Sequence, residues 1–251
     1  MSGRTRGRWY VVPLFLLYTV LLCLLTRWLV VSWTRAGTKE AYMATGPGGD
    51  MPPCIVLDAG HGGEDGGASS AAGLAEKEVN LAVAMGLRDF FEAAGVPVVM
   101  TRTEDVLLYD RGVDCRGRKK VLDLAARRLV AENTAARYDG NSLFISIHMN
   151  AFPAPQYSGM QVWYGVGDPR SAEVALAIQK ASAQLMPDNH RRIKEAGSHI
   201  YLLDRIRTPA VLVECGFLSN PEEAGRLGEE AYRYALAAVI FAGVAQSGAG
   251  M

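Results

Sequence analysis

The sequence predicts an α/β domain with a largely parallel, open sheet covered by helices on both faces, preceded by one N-terminal transmembrane or signal-anchor helix. Three observations carry this expectation. From Cys54 onward, β-branched and apolar runs alternate with stretches of helical periodicity. Three of those runs, Cys54-Ile-Val-Leu57, Leu143-Phe-Ile-Ser-Ile147 and Ala210-Val-Leu-Val213, are almost continuously apolar, as strands covered on both faces are. The residues from Trp9 to Thr26 carry no charge; as a helix rising about 1.5 Å per residue they span roughly 27 Å, near the hydrocarbon thickness of a bilayer.

Taken in order, residues 1–8 form a basic tail (Arg4, Arg6, Arg8) and residues 9–33 the membrane segment, flanked by Trp9, Tyr10, Trp28 and Trp33 as interfacial aromatics flank a span. Its apolar core is longer than that of a cleaved signal peptide, and Thr34-Arg35-Ala36 is a poor cleavage site, so a retained anchor is expected. Arg4, Arg6 and Arg8 favour an internal N-terminus, which places the large domain outside the cytoplasm; Arg27, Arg35 and Lys39 reduce the contrast. Residues 34–53, rich in Gly and Pro, are a linker.

The folded domain is residues 54–251. Its first strand ends in a glycine-rich turn. A helix follows from Glu76, with Val79, Val83, Leu87 and Phe90 at helical spacing and Gly95 as its stop. Val96–Met100 is a strand, Leu122–Tyr138 a helix, Leu143–Ile147 and Met160–Tyr164 strands, and Ala172–Leu185 a helix. The Ala210 strand and a last helix from about Ala231 to Ala245 close the domain.

The 26 Lys+Arg balance 26 Asp+Glu, and without a basic excess a nucleic-acid partner is excluded. The balance is not uniform. Residues 1–35 hold five Arg and no acid, so the remainder carries a net charge of −5. Hydrophobic content of 49% excludes a disordered chain. Cys23, Cys54, Cys115 and Cys215 form no Cys-x-x-Cys pair, so they suggest neither a disulfide framework nor a thiolate zinc site.

Ligands of open α/β sheets bind beyond the carboxyl ends of the strands. There the sequence places Asp58-Ala-Gly-His61-Gly-Gly-Glu64-Asp65-Gly-Gly67, His148-Met-Asn150 and Glu214-Cys-Gly-Phe-Leu-Ser-Asn220, with Glu76-Lys-Glu78 opening the first helix. Two imidazoles and a carboxylate are a common catalytic zinc set, and a further Glu then serves as general base and acid. Each His alone also suits a structural, hydrogen-bonded role. The glycines alone suit a phosphate cradle, although no Walker or dinucleotide signature follows them.

In this order, IVLDAGHGGEDGGA, GLAEKEVNLAVA, FISIHMNA and VLVECGFLSNPEEA resemble the zinc-dependent N-acetylmuramoyl-L-alanine amidases of bacterial cell walls (amidase 3 type), from about Cys54 to Gln246. The resemblance implies a phosphorylase/hydrolase-like fold and one zinc per chain held by His61, Glu76 and His148. It makes Glu214 the catalytic acid/base, with no serine or cysteine nucleophile. The bond cleaved joins the lactyl group of N-acetylmuramic acid to L-alanine of the peptidoglycan stem. HMNAFP and YLLDRIRTPAVLVECGFLSNPEEA, with the single anchor, look most like the germination-specific amidases of endospore formers. That group implies spore-cortex peptidoglycan, muramic-δ-lactam formation and a place in the forespore or spore envelope. A cell-division or autolytic amidase, a zinc carboxypeptidase or deacylase, and a non-catalytic wall-binding regulator are the alternatives.

Asn150, Arg192 and Lys194 are the expected substrate contacts, and an activating protein partner is a further expectation. Arg102 and Arg127 are expected to orient loops or pair with acids, and Glu78 to be solvated or to cap its helix. Cys215 stands where valine or threonine is usual in the family, and strand alternation turns it away from Glu214. The loop Phe152–Gly159 either walls the cleft or simply connects strands.

Overall fold

The computed structural model describes residues 53–109 and 117–248. The tail, membrane segment and linker expected over residues 1–52 lie outside the described residues, as do Cys23 and Cys115. Among the described residues no helix is long and apolar enough to cross a membrane.

The elements are β1 (Cys54–Ala59), α1 (Glu76–Ala93), β2 (Val98–Met100), α2 (Lys119–Arg137), β3 (Ser142–Asn150), β4 (Gln161–Tyr164), α3 (Arg170–Ala181), β5 (Lys194–Glu195), α4 (Tyr201–Arg205), β6 (Ala210–Phe217), α5 (Pro221–Leu227) and α6 (Glu230–Ser247). The sheet order is β2-β1-β3-β6-β4-β5. β1 pairs in parallel with β2 and β3, and β3 with β6, whereas β4 runs antiparallel to β6. The connection 151–160 between β3 and β4 contains no helix. It therefore cannot make a parallel crossover, and the chain re-enters the sheet reversed.

Strand alternation divides the core in two. Ile55, Leu57, Ile145, Ile147, Val211 and Val213 face one way, against Val83 and Leu87 of α1, Ile178 of α3 and Ile240 of α6. Val56, Phe144 and Leu212 face the other way, against Ala131 of α2 and Leu202 and Leu203 of α4. Helices thus cover both faces. Cys215 continues the first set and is fully buried in it, so it points away from Glu214 as alternation requires.

One buried charge network fastens β1 to α2. Arg127, only 1% exposed, donates to Asp58 Oδ1 at 2.8 Å and to Asp123 Oδ2 at 2.7 Å. Thr101 and Ser146 donate to the two oxygens of Asp58 at 2.8 and 2.6 Å. Burial works to raise the Asp58 carboxyl, but the charge of Arg127 and the hydrogen bonds from Ser146 and Arg127 outweigh it and hold Asp58 below the usual carboxylate range. Removing one partner of such a network strands a buried charge, so Arg127→Met should destabilise the domain by about 3–5 kcal/mol. Denaturant midpoints measure this, and Asp58→Asn in the same chain should recover part of the loss. Because the folded value of Asp58 is depressed, its contribution is complete above the unfolded value near pH 4 and is lost as pH falls through the folded value. The wild type should therefore lose more stability on acidification below about pH 4 than the double variant does.

Candidate active site

The glycine-rich turn after β1 is shaped by its neighbours. Arg127 donates to the carbonyls of Ala59 and His61 at 2.7 Å each. Arg102 donates to the carbonyls of Ala59, Gly60 and Lys77 at 2.8, 2.9 and 2.8 Å. The two arginines therefore gather backbone oxygens, in keeping with the expected loop-orienting role. This bracing holds His61 at φ +61°, a conformation unfavourable for a residue with a β-carbon. Three of the turn's glycine N–H groups are taken: Gly62 N by Asp65 O at 2.9 Å, Gly63 N by Asp105 Oδ1 at 2.7 Å and Gly67 N by Asp65 Oδ1 at 3.3 Å. They are not aimed outward to cradle a phosphate.

Glu76 opens α1, whose first backbone N–H donates to Ala68 O at 2.8 Å in place of a side-chain cap. Its buried carboxylate is shared between backbone and imidazoles. Oε2 accepts from Ala68 N at 2.8 Å and Oε1 from Met149 N at 3.1 Å. Oε1 also lies 2.9 Å from His148 Nδ1 and 3.2 Å from His61 Nε2. The ligand atoms of His61, Glu76 and His148 all fall within 4.8 Å of one another. Neighbouring corners of a tetrahedral zinc site with bonds of about 2.0–2.1 Å stand roughly 3.3 Å apart, so the donor set fits such an ion.

Two glycines make this convergence possible. A β-carbon on Gly60 would collide with the His148 ring. At Gly67, where φ is +67°, a β-carbon would lie 2.5 Å from Glu76 Oε2 and 2.8 Å from His61 Cδ2.

Burial works against the Glu76 anion, but hydrogen bonds and charge from His148 and His61 prevail and hold its carboxyl well below the usual range. Burial also works against a charged His61, yet Glu76 and then Asp65 outweigh it and raise the imidazole. Asp65 Oδ2 lies 3.0 Å from His61 Nδ1, a charge contact rather than an aligned hydrogen bond.

Glu214 faces this cluster from β6, paired in register with His148. Its environment is the opposite of that of Glu76. Burial, opposed by His148 and His61 and reinforced by the charge of Glu76, pushes its carboxyl up to about 7. Glu214 Oε2 is buried and has no hydrogen-bond partner. A buried carboxyl that exchanges its proton near neutrality, with one oxygen unpartnered and two imidazoles close enough to act on it, has the chemistry of a general base and acid.

A cleft of about 260 Å³ opens over these groups, walled by His61, His148 and Glu214, by Leu124 and Lys120 of α2, and by His199 to Leu202. Of the other residues expected at the site, Asn150 ends β3, and its carbonyl accepts from Leu218 N at 2.8 Å. Asn150, Arg192 and Lys194 alike do not wall this cleft. Lys194 and Glu195 form β5, pairing with β4 at the sheet edge, and Lys194 Nζ lies 5.1 Å over the Trp163 ring. The Trp163 ring beneath Lys194 in turn lies 6.0 Å from the ring of His199, which walls the cleft. Glu78 is exposed, as expected of a residue that ligates nothing. The sequence places Asp65 at this edge without a role, and it does not single out Lys120 or Asn80, whose amide donates to Gly60 O at 3.1 Å. The helical i, i+4 spacing of Glu76 and Asn80 was the available signal.

The comparisons agree with this geometry. A family model described as N-acetylmuramoyl-L-alanine amidase matches residues 55–246. The germination-specific N-acetylmuramoyl-L-alanine amidase of Bacillus subtilis (strain 168) is 38% identical over 190 residues, 76% of this chain and 77% of that protein. The CwlD amidase of Clostridioides difficile, solved in complex with the GerS lipoprotein, matches with a TM-score of 0.72 at 35% identity, over 78% of this chain and 98% of that one. The catalytic domain of CwlV from Bacillus (Paenibacillus) polymyxa matches with a TM-score of 0.65 at 28% identity, over 79% and 99%. With its match spanning the whole α/β domain and every group described above, the chain belongs to the N-acetylmuramoyl-L-alanine amidase family.

Proposed function

We propose that this chain hydrolyses the amide between N-acetylmuramic acid and L-alanine in peptidoglycan, that it does so with one zinc ion held by His61, Glu76 and His148, and that its substrate is the spore cortex. The observation that carries the reading is the facing pair of carboxyls. Glu76 is held ionised between two imidazoles, while Glu214 is held near neutrality across from them. When bound, zinc polarises the scissile carbonyl and acidifies a water.

The remaining work belongs to the side chains. Glu214 accepts the proton of the attacking water and returns it to the departing L-alanine nitrogen. A carboxyl at about 7 suits both tasks at neutral pH, since it is as ready to take the proton as to return it. Arg127 and Arg102 keep the His61 turn in place, so that no rearrangement precedes the proton transfers. Asn150, just beyond His148 on β3, and the cations Arg192 and Lys194 outside the cleft are proposed to meet parts of the glycan-peptide substrate that extend past it.

The cortex assignment is supported by the likeness to the germination-specific amidase of B. subtilis. We further propose that residues 9–33 tether the catalytic domain outside the cytoplasm and that a partner protein of the spore envelope assists it, as the complex of the C. difficile relative with a lipoprotein suggests.

Digestion of purified cortex and vegetative peptidoglycan by the zinc-loaded chain, with and without spore-envelope proteins, tests the reading. Mass spectrometry should find new L-alanine amino termini and stem-free muramic acid, with cortex preferred. Release of D-amino acids alone would identify a carboxypeptidase instead.

A further inference from the structure

We propose that Phe152 and Tyr157 form a glycan subsite, a platform for the apolar ring faces of sugars in the strand that carries the scissile amide. The identity of the substrate rests on the amidase reading above; the platform itself rests on the loop's own geometry.

Phe152 and Tyr157 are 51% and 44% exposed. Their rings meet edge to face, with centroids 5.0 Å apart and planes at 89°. Of the other exposed large apolar side chains among the described residues, Val121, Leu129, Leu176 and Tyr234 lie on helices and Val166 stands alone in the loop after β4. Tyr157 also stacks at 6.4 Å on Phe217, which is buried at the end of β6. Phe217 is paired in register with Asn150. At about 3.3 Å per strand residue, this backing lies about 10 Å along β6 from Glu214. The platform therefore continues the same edge of the sheet as the catalytic groups.

The chain fixes this exposed pair with unusual care. Glu223, only 2% exposed, accepts from Gly159 N at 2.9 Å and from Phe217 N at 2.7 Å, tying the loop to the strand. Asn220 caps α5 by accepting from Glu222 N and Glu223 N, each at 3.0 Å, which sets the position of Glu223. Arg191 lies 4.4 Å over the Phe217 ring and donates to Ser158 O at 2.7 Å. Phe152 N donates to Ser219 Oγ at 3.0 Å. Exposed aromatic rings held this firmly mark a binding surface. Two rings fall far short of the roughly 800 Å² per partner that a stable protein interface covers. They suit instead the flat, CH-lined face of a pyranose, with its hydroxyls left to solvent and to the neighbouring arginines.

Co-sedimentation with glycan strands stripped of their stem peptides tests the platform without reference to amide hydrolysis. The wild-type chain should bind the strands. Phe152→Ala and Tyr157→Ala should each weaken binding roughly three- to tenfold, the scale of one aromatic contact, while Tyr157→Phe keeps the wild-type value. On intact peptidoglycan the alanine variants should raise KM and leave kcat unchanged. On a single soluble muramoyl-peptide they should match the wild type. Absence of binding by the wild type, equal binding by the alanine variants, or an equal loss on polymer and on single muramoyl-peptide would each overturn the platform. If the strands are bound but neither substrate is cleaved, the amidase reading fails and the platform stands.

Discussion

Glu214→Gln should keep the fold and a full complement of zinc while lowering turnover on peptidoglycan by about 10²–10⁴-fold, the usual contribution of a positioned general acid/base. Glutamine preserves the shape of the side chain between His148 and the cleft, so binding groups are undisturbed. It removes the one carboxyl at the site that the protein holds near neutrality. Metal content by atomic emission, and kcat from the release of L-alanine amino termini, measure the two halves separately. Full activity in this variant would remove Glu214 from the mechanism.

Glu76→Gln should do the reverse, losing the metal first and turnover with it. Among the described residues its carboxylate is the only acid that touches both imidazoles, at 3.2 and 2.9 Å. Loss of a supporting group beyond the ligands costs about 10–100-fold in metal affinity. Loss of a charged ligand should exceed that, and competition with a chromogenic chelator reads it directly. Ala68 N and Met149 N bond different oxygens of Glu76, so the single amide oxygen of glutamine keeps one of them and leaves the other against an NH2 group; this should cost about 1–3 kcal/mol of stability, which denaturant midpoints separate from the loss of metal. Unchanged zinc affinity would contradict the proposed ligand set.

The contrast between the two glutamates was not legible in the sequence. Runs such as Cys54–Leu57 and Ala210–Val213 announced buried strands, and the order of strands and helices announced covered sheet faces. The ends of those strands were not announced. β3 continues through His148 and β6 through Glu214 because each pairs with a neighbour there, and pairing is non-local. The reversal of β4 depended on a connection without a helix. Helix α5 went unread although Asn220-Pro221-Glu-Glu is a capping signature, with the Asn side chain accepting from the first turn and Pro at its start. The Arg127–Asp58 pair joins residues 69 apart, and no local pattern marks it. The His61, Glu76 and His148 candidates were legible because turn chemistry and strand ends concentrate polar residues in short apolar surroundings.

Anomalous diffraction at the zinc edge, from crystals of the zinc-loaded chain, tests the central claim most directly. A single strong peak per chain is expected within about 2.0–2.2 Å of His61 Nε2, His148 Nδ1 and a Glu76 carboxylate oxygen, with Glu214 near it but outside the ligand sphere. A peak bound by Glu214, or one that leaves out any of His61, Glu76 and His148, would contradict the account.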